Sequence, residues 1–255
     1  MPVIAIFGAG PALGLSTARL FAAKGYQVAL VARDPAKLAR LEAELGLLEP
    51  GLLEPDGTER GGTERGGARG SVASFTADLS DRAGLERAVA AIDDRFGLPD
   101  VVLYSPGDVS RLPVSASALT AEELQTWLPL HLLSPVALIQ AVLPRMLERG
   151  SGSLLFALGA TARHPDAMLA SVNTPQAGLL NYLHGLSAAV APRGIYIGAL
   201  LIGALIEHSA AAQLFDAGHF ASVEPGTLPR VDPASLAERL WEMTATGQAV
   251  EHEVA

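Results

Sequence analysis

The chain has 255 residues, 49% of them hydrophobic and 18% charged, a balance that buries a large core and excludes a chain disordered throughout. A formal net charge of -9 sets the surface against phosphate backbones and anionic lipid, so neither nucleic acid nor membrane is an expected partner. The absence of cysteine rules out disulfides and thiolate metal sites, and no metal site is expected.

Met1-Pro2 leads straight into the apolar run VIAIF at 3–7, with no basic region or cleavage-like site. No apolar run reads as long enough to cross a bilayer, and the expected location is the cytoplasm. The run at 3–7 is a strand. Glycines follow, then a helix over about 14–24 with an apolar face from Leu15, Ala18, Leu20, Phe21 and Ala22, ended by Gly25. Residues 26–31 form a second strand and 35–45 a second helix, with Asp34 as its N-cap and Pro35 at its first position. Strand–helix–strand–helix is the pattern of a parallel sheet.

The pattern stops at 47–67, LLEPGLLEPDGTERGGTERGG, where LLEP and GTERG each occur twice. So short a period cannot build a solenoid, and its Gly, Pro and charge content reads as a flexible surface insertion, with a lid over the site as the alternative. Beyond it come a strand at 72–77 closed by Asp78, a helix at 82–96 and a strand at 100–104. Helical pattern covers 121–133 and 135–147, with Pro129 and Pro135 marking a kink or break. A strand at 153–158, a helix at 174–190 and a strand at 195–201 follow. The stretch 208–226 mixes helix and loop, 233–243 is a last helix and 249–254 a last strand. The sum is one α/β domain over 1–255, a Rossmann-like doubly wound parallel sheet of about seven strands with helices on both faces.

The turn Gly8-Ala-Gly10-Pro-Ala-Leu13-Gly14 lies between the first strand and the first helix. A helix N-terminus has free N–H groups and a partial positive charge that attract a pyrophosphate. Glycines let the backbone approach that group, and Gly14 lets helix and strand pack closely. A tight turn with no ligand is the alternative. At the tip of the second strand, NAD binders place a carboxylate for the ribose 2′-hydroxyl. Here Ala32 offers no oxygen, whereas Arg33 could meet a 2′-phosphate as a charged fork. The expected cofactor is therefore NADP(H) rather than NAD(H). Arg33 as a solvated surface residue, and Asp34 as a ribose ligand rather than a cap, remain alternatives.

On these motifs the chain resembles the short-chain dehydrogenase/reductase (SDR) family nearly end to end outside 47–67. The family's Thr-Gly-x-x-x-Gly-x-Gly turn corresponds to 7–14, with Phe7 for the threonine and Ala12 for the middle glycine. Its adenine-contacting Asp falls on Asp78, followed by Leu79, and its Asn-Asn-Ala-Gly stretch falls on Tyr104-Ser105-Pro106-Gly107. The resemblance implies a catalytic Asn, Ser, Tyr and Lys, and all four positions differ: they fall on His131, Gly159, Val172 and Gln176. No Tyr-x-x-x-Lys occurs in the chain, whose two lysines are Lys24 and Lys37. Valine moves no proton, and glutamine has no charge to lower a neighbour's pKa.

His131, His164 and Gln176 are the candidate catalytic residues, histidine being able to serve as acid or base near neutrality. A packed helix residue for His131 and an exposed loop residue for His164 are the structural alternatives. Asp166, Ser171 and Asn173 are expected near the same pocket. Three functions stay open: an atypical NADP(H)-dependent oxidoreductase acting on an unidentified small molecule, a non-redox enzyme such as an isomerase or cyclase on the same fold, and a catalytically silent dinucleotide-binding protein. The resemblance also implies a homo-dimer or homo-tetramer built on the long central helices.

Overall fold

The computed structural model describes residues 1–46, 71–218 and 228–254. The expected insertion at 47–67 and residues 219–226 of the expected helix-and-loop stretch lie outside them. The first half runs β1 (Val3–Phe7), α1 (Leu13–Ala23), β2 (Gln27–Ala32), α2 (Pro35–Gly46), β3 (Val72–Thr76), α3 (Arg82–Phe96) and β4 (Val101–Tyr104). Then come α4 (Ala121–Leu128), a π-helical turn at Pro129–Leu133, α5 (Ser134–Arg149), β5 (Gly152–Gly159), α6 (Ala170–Val190) and β6 (Ile195–Ile202). The chain closes with β7 (Leu205–Ile206), α7 (Ala210–Asp216), β8 (Arg230–Val231), α8 (Pro233–Thr246) and β9 (Glu251–Val254).

Seven of these strands form one sheet in the order β3-β2-β1-β4-β5-β6-β9, and every pairing is parallel. The strand order reverses between β1 and β4, where a doubly wound sheet opens its binding crevice. All five residues of β1 and all four of β4 are buried, because helices cover both faces. One face packs Leu85, Ile92, Leu138, Val142 and Leu183 against the sheet. The other packs Leu15, Phe21, Leu38, Leu236 and Leu240. Phe21 meets Tyr26 and Trp241 edge-on at 5.1 and 5.3 Å, pinning α1, the turn that leads into β2, and α8 together.

The prolines expected to kink or break the central helix do not break it: residues Ala121–Arg149 are continuous, and the irregularity falls at Pro129–Leu133 as a π turn. Those 29 residues could cross a bilayer by length and composition. Burial of Leu138, Ile139, Val142 and Met146 against the sheet marks α5 as a core helix instead. Also unforeseen is the short parallel pair β7–β8, which brings Leu205 and Ile206 over the carboxyl ends of the main strands.

Candidate active site

A cleft of about 1080 Å³ follows the carboxyl edge of the sheet. Gly8, at φ +95°, turns the chain out of β1, and the N–H groups of Gly8 and Ala9 both donate to the Val31 carbonyl at 2.9 Å. A Cβ on Gly8 would stand 2.5 Å from the Pro106 nitrogen, so the two loops cross backbone to backbone there. A Cβ on Gly14 would stand 2.9 Å from Ala9 Cα, the close packing expected of the last glycine. Gly10 is different: nothing lies within 4 Å of its virtual Cβ, and it opens onto the cleft. Leu13 begins α1 beside it, after an N-cap, Ala12, that supplies no side-chain acceptor. The Leu15 N–H is taken by the Gly10 carbonyl at 2.9 Å, and the positive end of α1 lies at the cleft, where it favours an anion.

Every residue expected to hold the cofactor lines this cleft. Besides the glycine turn these are Arg33, Asp78, Leu79, Ser105, Pro106 and Gly107. The Asp78 carboxylate accepts the Ser80 N–H at 2.9 Å and the Ser80 hydroxyl at 2.7 Å. The Ser105 hydroxyl is buried with no partner among the described residues, a polar atom that a bound group could satisfy. Asp34 accepts the N–H groups of Ala36 and Lys37 at 2.9 and 3.2 Å, which commits one carboxylate oxygen to capping α2. Lys37 and Arg40, one turn apart on α2, join Arg33 on the same wall. Arg33 itself reaches Asp108 across the cleft at 3.5 Å. Burial alone would raise the Asp108 carboxyl, but hydrogen bonds from Ser110 and the Arg33 charge outweigh it and hold the pKa below the usual carboxylate range.

The other end of the cleft is built on the π turn. Ser134 N–H reaches back to the Pro129 carbonyl, and Pro135 has no N–H to give. The Leu130 carbonyl, left without a helical donor, accepts the Tyr104 hydroxyl at 2.6 Å. Burial pushes that hydroxyl far above the ordinary tyrosine range, so it stays a donor. The same turn carries His131 into the wall, 8% exposed and stacked on Trp127 at 5.7 Å and 20°. Burial drives its pKa down to about 4, with the Asp108 charge opposing and the Arg111 charge adding to the shift. At neutral pH the ring is uncharged.

Gln176 joins two of the substituted positions. Its Oε1 accepts the Gly159 N–H at 3.0 Å, which orients the amide. Its Nε2 is then the atom facing His131 Nδ1, at 3.5 Å. A neutral imidazole facing an amide donor through Nδ1 keeps its proton on Nε2. His131, Gly159 and Gln176 all line the cleft. Val172, half-buried in the first turn of α6, does not.

His164 stands apart from these residues. After β5 a single 3-10 turn, Ala160–Ala162, carries the chain outward. The His164 ring then faces Glu253 on β9 at 3.4 Å, with 63% of its side chain exposed. Asp166, Ser171 and Asn173 also lie off the cleft wall and hold the backbone. Ser171 accepts the Val114 N–H at 2.9 Å, Asn173 donates to the Asp166 carbonyl at 2.7 Å, and Asp166 caps Met168. Residues the sequence did not single out line the cleft near His131: Arg111, Thr126 and Trp127. Lys37 and Arg40 were also missed, though their helical spacing after Arg33 was a usable signal.

The strand order, the crevice at its reversal and the glycine turn define a Rossmann-type doubly wound domain. The model of the short chain dehydrogenase family matches residues 2–213, and the chain belongs to that family, whose members bind nicotinamide dinucleotides. Among curated proteins, Danio rerio dehydrogenase/reductase SDR family member 7B is 27% identical over 243 residues, covering 92% of this chain and 72% of that one. D-threitol dehydrogenase of Mycolicibacterium smegmatis is 29% identical over 153 residues, 60% of this chain and half (50%) of that protein. Two solved structures, each 20% identical, share the fold. One is a Pseudomonas aeruginosa PAO1 short chain oxidoreductase described as containing an atypical catalytic center (TM-score 0.79, covering 100% and 95% of the two chains). The other is Gluconobacter frateurii L-sorbose reductase complexed with NADPH and L-sorbose (TM-score 0.80, 99% and 94%).

Proposed function

We propose that this protein is an atypical NADP(H)-binding oxidoreductase whose active site polarises its substrate through a neutral histidine. The observation that carries the cofactor choice is the wall at the β2 tip. Arg33, Lys37 and Arg40 line it, and the one acid at the tip, Asp34, is occupied in capping α2. Three cations suit a 2′-phosphate, and Arg33 can give its fork to one by releasing Asp108. Both the Pseudomonas protein, in a second structure, and the sorbose reductase are NADPH-bound, which supports the same choice. Bound there, the cofactor would supply or accept hydride.

The chain's own groups would do the rest. The glycine turn and the α1 N-terminus would hold the pyrophosphate, and Asp78, Leu79 and Ser105 through Gly107 would bracket the adenosine and ribose. His131, with its proton on Nε2, would donate a hydrogen bond without ionising, as a neutral imidazole does when it acts as an electrophile. Gln176 would fix that tautomer and hold the Gly159 turn. Leu158, Leu205 and Ile206 would give the substrate an apolar wall.

Calorimetry with NADPH and NADH tests the cofactor choice. The parent is expected to prefer NADPH, and Arg33→Ala to weaken NADPH about tenfold or more while sparing NADH, since a hydrogen bond to a charged group is worth roughly 1.5–3 kcal/mol. Equal weakening of both, or binding of neither, refutes it. A second reading, a dinucleotide-binding protein without turnover, draws support from Gly159 and Val172, neither of which has a side-chain proton to give. The chain also spans only half of the D-threitol dehydrogenase it matches, so no relative's substrate is carried over.

A further inference from the structure

We infer that the substrate end of the cleft is built for a carboxylate, and that Arg111 is the residue that reads it. The inference rests on the oxidoreductase reading and adds a substrate class to it: carbonyl compounds that carry a carboxylate, such as oxo acids.

Three observations converge on Arg111. First, it is held in place. Its guanidinium lies 4.5 Å over the Trp127 ring, Nη1 donates to Thr126 Oγ1 at 2.5 Å, and Nη2 donates to the Thr126 carbonyl at 3.1 Å. An arginine has five N–H donors, so three remain for a ligand, on a group whose freedom is already spent. Second, no acid answers it among the described residues. Nine of the described arginines, Arg33 among them, pair with a carboxylate; of the cleft-lining arginines Arg40 and Arg111 form no such pair, and Arg40 belongs to the β2 wall at the other end. Asp108 is taken by Arg33 and by the Ser110 N–H, and Glu123 accepts the Trp127 Nε1–H at 2.9 Å. In a chain of net charge -9, an unanswered cation in a cleft is a local reversal of the field.

Third, Arg111 stands at the reacting end. It lines the same cleft as His131 and Gln176, and both its guanidinium and the His131 ring contact one indole, Trp127. Its charge is felt at His131, where it opposes protonation. A carboxylate bridging to Arg111 would lie along the wall that leads to His131 Nε2, with the apolar β7 residues Leu205 and Ile206 lining the same cleft.

The test is binding, with and without saturating NADPH, of pyruvate, 3-oxobutanoate and 4-oxopentanoate, each against its neutral methyl ester, by calorimetry at low ionic strength. The parent is expected to bind at least one acid about tenfold or more tightly than its ester, as a charge-assisted fork requires. Arg111→Gln should erase that preference, Arg111→Lys should keep part of it, and NADPH affinity should stay within about twofold of the parent, because the β2 wall is untouched. Thermal unfolding of each variant checks that the fold is kept. Acids and esters binding alike, no acid binding to the parent in either state, or a preference that survives in Arg111→Gln overturns the assignment. Should NADPH fail to bind the parent, the cofactor reading falls, and the acid–ester comparison on the protein alone still decides the role of Arg111.

Discussion

Gly8 and Gly10 belong to one turn, yet alanine should act on them in opposite ways. At Gly8, φ of +95° is strained for any residue with a Cβ, at a cost of about 1–2 kcal/mol. The new methyl would also stand 2.5 Å from the Pro106 nitrogen and 2.7 Å from the Ser105 carbonyl carbon. Both are backbone atoms of the loop leaving β4, so they cannot rotate away, and overpacking adds about 1–3 kcal/mol. In a chain this long each kcal/mol lowers Tm by about 2–4 °C, so Gly8→Ala should melt on the order of 5–15 °C below the parent. At Gly10 the methyl meets nothing within 4 Å. Gly10→Ala should melt with the parent or slightly above it, since a stiffer unfolded chain gains about 0.4–1 kcal/mol. It should nonetheless bind NADPH about tenfold more weakly, because the methyl takes the space where backbone and pyrophosphate meet. Circular dichroism melts and calorimetry on the two variants separate the effects. A Gly8→Ala protein as stable as the parent would show that the loops do not cross closely. Parental NADPH affinity in Gly10→Ala would remove the pyrophosphate from that turn.

Three further outcomes are expected. Turnover of simple ketones and aldehydes with NADPH should fall short of a Tyr-Lys enzyme by roughly 10²–10⁴-fold, the share of general acid/base catalysis, and brisk reduction across such a panel would refute the assignment of Gly159, Val172 and Gln176. His131 should make the fold acid-sensitive. Its folded pKa of about 4 lies below the unfolded value near 6.5, so the unfolded chain binds the proton first, and stability present above pH 6.5 drains away as pH falls towards 4. The loss attributable to this residue is at most about 3 kcal/mol, and urea unfolding at pH 7 and pH 4 should show a smaller drop in His131→Gln than in the parent. An unchanged drop would mean that His131 is not buried neutral. Light scattering at micromolar concentration should give the dimer or tetramer that the family resemblance implies, and a sharp monomer mass would end that expectation.

The inner strands β1, β2, β4, β5 and β6 were legible because burial on both faces makes them read as apolar runs, whereas the edge strands β3 and β9 are only partly buried and carry polar residues. The cofactor wall was legible only in part. Arg33 announced itself at a strand tip, whereas Lys37 and Arg40 became relevant once α2 was seen to turn one face to the cleft. Aligning His131, Gly159 and Gln176 with the family's positions said what was lost. That Gln176 ties the other two together depends on three elements meeting in space, which no local pattern encodes. His164 misled for the reverse reason: proximity to β5 in sequence implied proximity to the cleft, and one 3-10 turn sent it towards β9. The β7–β8 pair joins segments that share no sequence signal, since each strand is two residues long.

The closure of the Leu130 carbonyl by Tyr104 makes two distant positions chemical complements. Pro135 withholds a donor and Tyr104, thirty-one residues earlier, returns it. Phenylalanine at 104 would leave that carbonyl without its donor, whereas an N–H at 135 could supply a second one to its other lone pair, so the tyrosine matters most while Pro135 stays. Tyr104→Phe should therefore cost more beside Pro135 than beside an alanine at that position, and double-mutant cycles at 104 and 135 should be non-additive. The end of β4 and the turn that bears His131 are in this sense fastened to each other by one hydrogen bond.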